Sequence, residues 1–143
     1  MPTCTRRAVV TALCFSPWLA RADEVSDARA VATAFRRAVT EQRFDEAYDD
    51  LLADAFKRKL PMTRSEYIQT LRNGQKTVGR TKSTTDLSYT YADHDPATGY
   101  RGKIYMFDYK TVYEKGAFFE RLVVIREAGK YRIGGVWSNP APL

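Results

Sequence analysis

The segment Lys103–Trp137 decides the fold and reads KIYMFDYKTVYEKGAFFERLVVIREAGKYRIGGVW. It is rich in the β-branched and aromatic residues that favour strands, and two turn signals interrupt it, at Glu114-Lys115-Gly116 and Ala128-Gly129-Lys130. The predicted strands cover residues 103–113, 118–126 and 131–137. Because the links between them have the length of hairpin turns, neighbouring strands should be antiparallel.

One more strand is expected before this segment. Leu87, Tyr89 and Tyr91 alternate with polar residues, which is the period of a half-buried strand. The stretch Asp93–Gly102 contains proline and glycine and is predicted to be a loop. The sheet should therefore have four strands.

Two stretches before the sheet have helical periodicity. After Val25 the apolar residues Ala28, Ala32, Phe35 and Val39 recur at helical spacing. A second apolar stripe runs from Phe44 to Phe56, and Pro61 follows it as a stop signal. We therefore predict two amphipathic helices here, the second of them continuous along its stripe.

A third helix should follow. Thr63 and Glu66 have the spacing of a capping box, in which each side chain satisfies a free backbone donor of the first turn. The helix should end at Gly74 or Gly79, since glycine ends helices well. Three helices followed by four strands predict an α+β fold, with the N-terminal helices packed on one face of the antiparallel sheet.

Residues 1–22 have the pattern of an export signal. Arg6 and Arg7 precede a short apolar run, and Ala20-Arg21-Ala22 is the small-x-small motif that signal peptidases cut after. We predict cleavage near Ala22, a single mature domain over residues 23–143, and a periplasmic or secreted location. The Sec route is expected, because the residues after Arg7 continue a twin-arginine motif poorly. No apolar run reaches the roughly 20 residues that a spanning helix needs, so no membrane span is predicted.

The net charge and the positions of the cysteines limit the kinds of partner and of chemistry that the protein could have. The full chain has 23 Lys and Arg, 17 Asp and Glu and a net charge of +6, and removal of residues 1–22 takes away three Arg and leaves +3. Such a charge is ordinary for solubility, and an exported protein is not expected to bind nucleic acid. Cys4 and Cys14 both lie in the predicted signal, so the mature domain would have no thiol for catalysis, a disulfide or a metal.

Several short motifs form a joint pattern. They are Ser65-Glu66-Tyr67-Ile68, Gly79 followed by basic residues, Phe107 with Thr111 and Tyr113, and Gly129-Lys130-Tyr131-Arg132-Ile133-Gly134-Gly135. On these residues the chain resembles a secreted bacterial family called domain of unknown function 4019, a branch of the cone-shaped folds similar to nuclear transport factor 2 and to cystatin. It departs from that family by having Tyr in place of Trp at positions 67 and 131. Over Val25–Trp137 the resemblance implies a curved sheet wrapped around the helices, with a cavity between them, and no established activity.

Asp108 is the candidate catalytic residue, because it interrupts an otherwise apolar and aromatic strand. Facing inward, it could act as the base of a small isomerase or dehydratase, with a tyrosine as the acid. Phe107 and Tyr109 have the opposite parity along the strand, and their side chains are at least as typical of a core. If they face the core, Asp108 faces solvent, opposite Arg121 or Lys110.

The sequence predicts neither a metal site nor a cofactor. His94 is the single histidine and lies within Asp93-His94-Asp95. Consecutive residues rarely converge on one ion, and no second histidine completes a transition-metal shell, so a solvated turn is the preferred interpretation. The chain also has no P-loop and no G-x-G-x-x-G motif for a nucleotide.

Tyr105, Tyr109, Tyr131 and Trp137 are the candidate ligand-binding residues. Aromatic side chains with a polar tip line pockets well, although the same residues are also good at packing a core. The leading hypothesis is a non-enzymatic exported module that binds a small apolar or amphipathic ligand, or an envelope protein, at the open end of the cone. The alternatives are the acid-base enzyme above and a self-associating module, such as a homodimer through the outer face of the sheet.

Overall fold

The computed structural model describes residues 17–143, so most of the predicted signal peptide lies outside the described residues. The helices are α1 (Pro17–Thr40), α2 (Phe44–Glu46), α3 (Asp54–Lys57) and α4 (Arg64–Val78). The strands are β1 (Thr81–His94), β2 (Arg101–Tyr113), β3 (Gly116–Glu127) and β4 (Lys130–Ala141). They form one antiparallel sheet in the order β1-β2-β3-β4, and the helices pack on its inner face. The predicted α+β fold, with helices first and a four-stranded antiparallel sheet after them, is confirmed.

Helix α1 forms the centre of the helical layer. Ala28, Ala32 and Ala38 are fully buried and Phe35 is nearly so. Since alanine adds little volume, this side of α1 can lie close to the sheet, where it shares one core with Phe107 and with residues of β3 and β4. The burial of the alanines therefore sets the distance between the helix and the sheet.

The prediction of one continuous helix over the second apolar stripe was wrong. Helix α2 passes into a π-helical segment, Ala47–Leu51, and the backbone then becomes extended at Leu52 and Ala53 before α3 begins. Leu52 forms a parallel bridge with Ile133 of β4, and the Ala53 N–H donates to the Ile133 carbonyl oxygen at 2.8 Å. Leu52 and Ala53 are both fully buried. The tertiary contact with β4 thus replaces the helical hydrogen bonds that the periodic pattern predicts.

Helix α4 has the capping box that its sequence predicts. The Glu66 N–H donates to Thr63 Oγ1 at 3.3 Å, and the Thr63 N–H donates to Glu66 Oε2 at 2.7 Å. The helix ends at Gly79, whose φ is 78°, a backbone angle that glycine adopts readily and other residues rarely do. A Cβ atom there would lie 2.6 Å from Glu114 Oε2, so the close approach of the β2–β3 turn also requires glycine.

Strand β2 presents its odd-numbered residues to the helices. Tyr105, Phe107, Tyr109 and Thr111 are all buried. Asp108 lies on the opposite, outer face. This alternation defines the two surfaces of the sheet on which a site could be built.

Candidate functional site

A cavity of about 240 Å³ lies between α1, α4 and the inner face of the sheet. Its lining comprises Phe35, Arg36, Val39 and Thr40 of α1, Thr70, Leu71, Gly74, Gln75 and Val78 of α4, and Thr81, Tyr113, Phe118, Glu120, Leu122, Val136, Trp137 and Ser138 of the sheet. Most of the surface that these residues present to the cavity is apolar. The cavity is therefore an apolar space with a few polar groups, which is the usual character of a small-molecule site.

Glu120 is the acidic residue of this lining. Thr111 Oγ1 donates to one of its carboxylate oxygens at 2.5 Å, and the Tyr113 hydroxyl donates to the other at 2.5 Å. Burial and the hydrogen bond to Glu120 raise the pKa of Tyr113 above its ordinary value, so its hydroxyl remains a donor. The carboxylate is thus held in one orientation by two hydroxyls from β2.

Arg36 is the basic residue of the lining. Its Nη2 lies 2.5 Å from Thr84 Oγ1 and 3.3 Å from Thr111 Oγ1, and its guanidinium carbon lies 4.5 Å from the centre of the Tyr109 ring. These contacts direct the guanidinium toward β1 and β2 and join it to Glu120 through one bridging hydroxyl. Among the described residues no Lys, Arg or His nitrogen lies within 4 Å of the Glu120 carboxylate.

The α4 wall supplies a different kind of polar group. Gln75 Nε2 donates to the Thr40 carbonyl oxygen at 3.0 Å. This bond fixes the orientation of the amide, because a carbonyl oxygen can only accept. Gln75 Oε1 is buried and has no donor among the described residues. Such an unsatisfied acceptor is uncommon and costs free energy. Protein atoms cover it, so it is not exposed to the cavity.

Gly74 also lies in the part of the cavity lining that α4 provides. It lies inside α4, where glycine costs about 1 kcal/mol relative to alanine. A Cβ atom at this position would have no atom within 4 Å. Packing therefore does not require glycine here, and a larger side chain at this exposed position in the cavity lining would have open space around it.

The structure does not bring the four predicted ligand-binding residues together. Tyr105 and Tyr131 pack edge to face in the core with ring centres 6.0 Å apart, and Tyr109 lies under the Arg36 guanidinium. Burial raises the pKa of all three hydroxyls, that of Tyr105 to about 12, and the Tyr109 hydroxyl has no hydrogen-bond partner among the described residues. Trp137 is the one of the four that lines the cavity.

Asp108 lies outside the cavity. Its carboxylate accepts two hydrogen bonds from Arg121 of β3, from Nε at 2.6 Å and from Nη2 at 2.9 Å, and Ser88 Oγ lies 3.3 Å away. The hydrogen bonds from Arg121 hold the pKa of Asp108 below its ordinary value. A carboxylate in a paired, low-pKa state is a poor base, so the geometry favours a structural ion pair on the outer face.

The outer face around this ion pair carries exposed apolar side chains. Leu87, Phe119 and Trp137 are 49%, 44% and 55% exposed, respectively. The Trp137 indole lies against Gly135, where a Cβ atom would come within 2.4 Å of the ring. Trp137 thus borders both the cavity and the outer face.

The other sequence candidates form no cluster in the described part of the chain. His94 Nδ1 lies 2.7 Å from Asp93 Oδ1, and both side chains are exposed. No group of three or more His, Cys, Asp or Glu residues suited to a metal occurs within residues 17–143 as described. Over the same residues, no helix is both long enough and apolar enough to cross a membrane.

The sequence prediction missed Glu120. Phe118, Glu120 and Leu122 share one parity of β3, so an acidic residue interrupts the inward face of that strand in the same way that Asp108 interrupts β2. This alternation was the available signal. The roles of Arg36 and Gln75 had no such signal, because they depend on how the helices pack on the sheet.

Comparison with known proteins supports the fold. No protein-family model matches the chain, and no curated protein matches its sequence. A crystal structure from Thiobacillus denitrificans ATCC 25259, provisionally assigned as a calcium/calmodulin-dependent protein kinase type II association domain, is similar with a TM-score of 0.54 and 18% sequence identity. The similarity covers 80% of this chain and 94% of that one. At this identity the likeness shows the fold alone, and the chain has an α+β cone fold.

Proposed function

We propose that the protein is a binding module that holds a small amphipathic ligand in the cavity between α1, α4 and the sheet. The observation that carries this proposal is an apolar cavity of about 240 Å³ that contains a carboxylate held by two hydroxyls. The cavity opens to the surface beside the exposed residues Thr40, Thr70 and Gly74, so a small molecule can enter it. Arg36 gives the cavity a second charged group.

Substitution of Gly74 tests this proposal. A leucine at this position has room to extend across the cavity, whereas an alanine adds a single methyl group and is the matched control. With 1-hexanol as the probe, a ¹H–¹⁵N NMR titration should show binding to the wild type and to Gly74→Ala. Gly74→Leu should bind at least about tenfold more weakly, a loss of about 1.4 kcal/mol. Equal binding by both variants would place the ligand elsewhere and refute the proposal.

The catalytic alternative needs an acid-base pair in the cone cavity. Asp108 pairs with Arg121 on the outer face, which gives this alternative no support. Asp108→Asn should therefore leave any activity and any cavity binding unchanged. A loss of turnover in a variant that remains folded would restore the enzyme hypothesis.

We propose self-association as a second function, in the form of a homodimer through the outer face of the sheet. It is supported by the exposed side chains of Leu87, Phe119 and Trp137 and by the neighbouring structure's assignment as an association domain. Phe119→Lys should convert the dimer to a monomer in equilibrium sedimentation. A wild-type protein that stays monomeric at high concentration would exclude the dimer.

We also propose that the domain acts outside the cytosol after cleavage near Ala22. Cleavage there would leave the core contacts of α1 intact, because Ala28 is the first buried residue of the helix among those whose side chains are described. It would remove Arg21, whose guanidinium lies 5.0 Å from the centre of the Tyr91 ring. Intact-mass measurement of the exported protein should give a chain that begins at Asp23, and an uncleaved chain retained in cells would contradict the proposal. Membership of family 4019 likewise stays a prediction from the sequence motifs.

A further inference from the structure

We infer that the cavity selects a small organic cation, an ammonium group on a compact apolar body. The inference rests on the proposed function, since it names the chemical class of the ligand in the same cavity. It follows from which polar atoms in the lining are already engaged and which are free.

The free acceptor atoms on the β3 wall belong to Glu120. Each of its carboxylate oxygens accepts one hydroxyl and retains a lone pair. The hydroxyls of Thr111 and Tyr113 are both used as donors to Glu120. A ligand that reaches these atoms must therefore donate hydrogen bonds, and a primary ammonium group brings three donors.

The charge in the lining favours the same class. Glu120 has no cationic nitrogen within 4 Å among the described residues, so a ligand cation can approach its carboxylate directly. Arg36 is the competing charge. Its guanidinium contacts the Thr84 and Thr111 hydroxyls and stacks over Tyr109, so the Thr111 hydroxyl lies between it and Glu120. If Arg36 set the specificity instead of Glu120, a carboxylate ligand would bind best. A comparison of an amine with a carboxylate therefore distinguishes control by Glu120 from control by Arg36.

The volume limits the size of the ligand. A cavity of about 240 Å³ is smaller than the roughly 300 to 1,000 Å³ of pockets for drug-sized molecules. The apolar walls from Phe35, Leu71 and Leu122 suit an alkyl or small aromatic body.

Three probes of equal chain length test the inference: n-hexylamine, 1-hexanol and n-hexanoate. Their dissociation constants are measured by NMR titration at pH 7 on the purified protein, on Glu120→Gln and on Asp108→Asn. The last variant is the matched control, because it removes one negative charge on the outer face and none in the cavity. We expect n-hexylamine to bind at least about tenfold more tightly than 1-hexanol, and n-hexanoate to bind most weakly. Glu120→Gln should abolish the preference for the amine, and Asp108→Asn should retain it.

The outcomes separate the inference from the function on which it rests. If all three probes bind equally, or if n-hexanoate binds most tightly, the inference fails while the cavity remains a binding site. If none of the probes binds, the proposed function fails and the inference fails with it. Should Glu120→Gln not fold, the order of the three probes on the wild type still decides. Retention of the amine preference by a folded Glu120→Gln variant would also overturn the inference.

Discussion

Leu52→Ala is a substitution for which the structure predicts a large loss of stability. The Leu52 side chain is fully buried at the break between the π-helical segment and α3, where its backbone bridges to Ile133. Truncation to alanine removes three carbon atoms, worth about 2.4 kcal/mol at about 0.8 kcal/mol each. A residual cavity of about 50 Å³ would add about 1.2 kcal/mol at 24 cal/mol per Å³. We therefore expect the free energy of unfolding to fall by about 3.5 kcal/mol.

Leu51→Ala is the matched control. From the sequence, both leucines belong to one apolar stripe and would be equally costly to truncate. In the structure Leu51 is only half-buried, so its truncation should cost about 1 kcal/mol. Urea unfolding followed by circular dichroism measures both variants. Equal losses, or a larger loss for Leu51→Ala, would show that the chain continues as a regular helix through this point and would refute the observed break.

Three further predictions concern α4 and the outer face. Thr63→Ala should lower the free energy of unfolding by about 1 kcal/mol in urea unfolding, because it removes the cap that bonds Glu66; an unchanged midpoint would mean that the cap is not formed in solution. Gly74→Ala should raise the melting temperature, by an amount equivalent to about 0.5 to 1 kcal/mol, since the new methyl group meets no atom and alanine favours helix; a lower melting temperature would show that the α4 wall is closed. Arg121→Ala should destabilise the protein at neutral pH but progressively less below about pH 4. The pair with Arg121 lowers the pKa of the Asp108 carboxyl in the folded state below its unfolded value of 3.8, so the stability that the ion pair contributes is lost as the carboxyl becomes protonated. A stability difference that does not change with pH would mean that the ion pair contributes nothing.

The elements set by local chemistry could be predicted from the sequence. The turns at Glu114-Lys115-Gly116 and Ala128-Gly129-Lys130 gave the order of β2, β3 and β4, and the capping box at Thr63 gave the start of α4. Each of these signals lies within a few residues of the feature that it determines. The sheet was longer than predicted, because β1 extends to His94 and β4 to Ala141.

Features that depend on distant contacts could not be predicted in this way. The break at Leu52 arises from hydrogen bonding to Ile133 and from the Glu127 carboxylate, which accepts from the Asp54 and Ala55 N–H groups at 2.8 and 2.9 Å. The cavity has the same dependence, since its walls come from three separate parts of the chain. The abundance of tyrosine in the sequence led to the choice of Tyr105, Tyr109 and Tyr131 as candidate ligand-binding residues, but these three pack in the core. The carboxylate of the cavity, Glu120, could have been predicted from the alternation of side chains along β3.

A crystal structure of the protein grown with 1-hexanol would show whether the cavity holds a ligand. We expect electron density for the alkyl chain among Phe35, Leu71 and Leu122, with the hydroxyl group within hydrogen-bonding distance of the Glu120 carboxylate. Density for the probe on the outer face beside Phe119, together with a cavity that holds only water, would contradict this expectation.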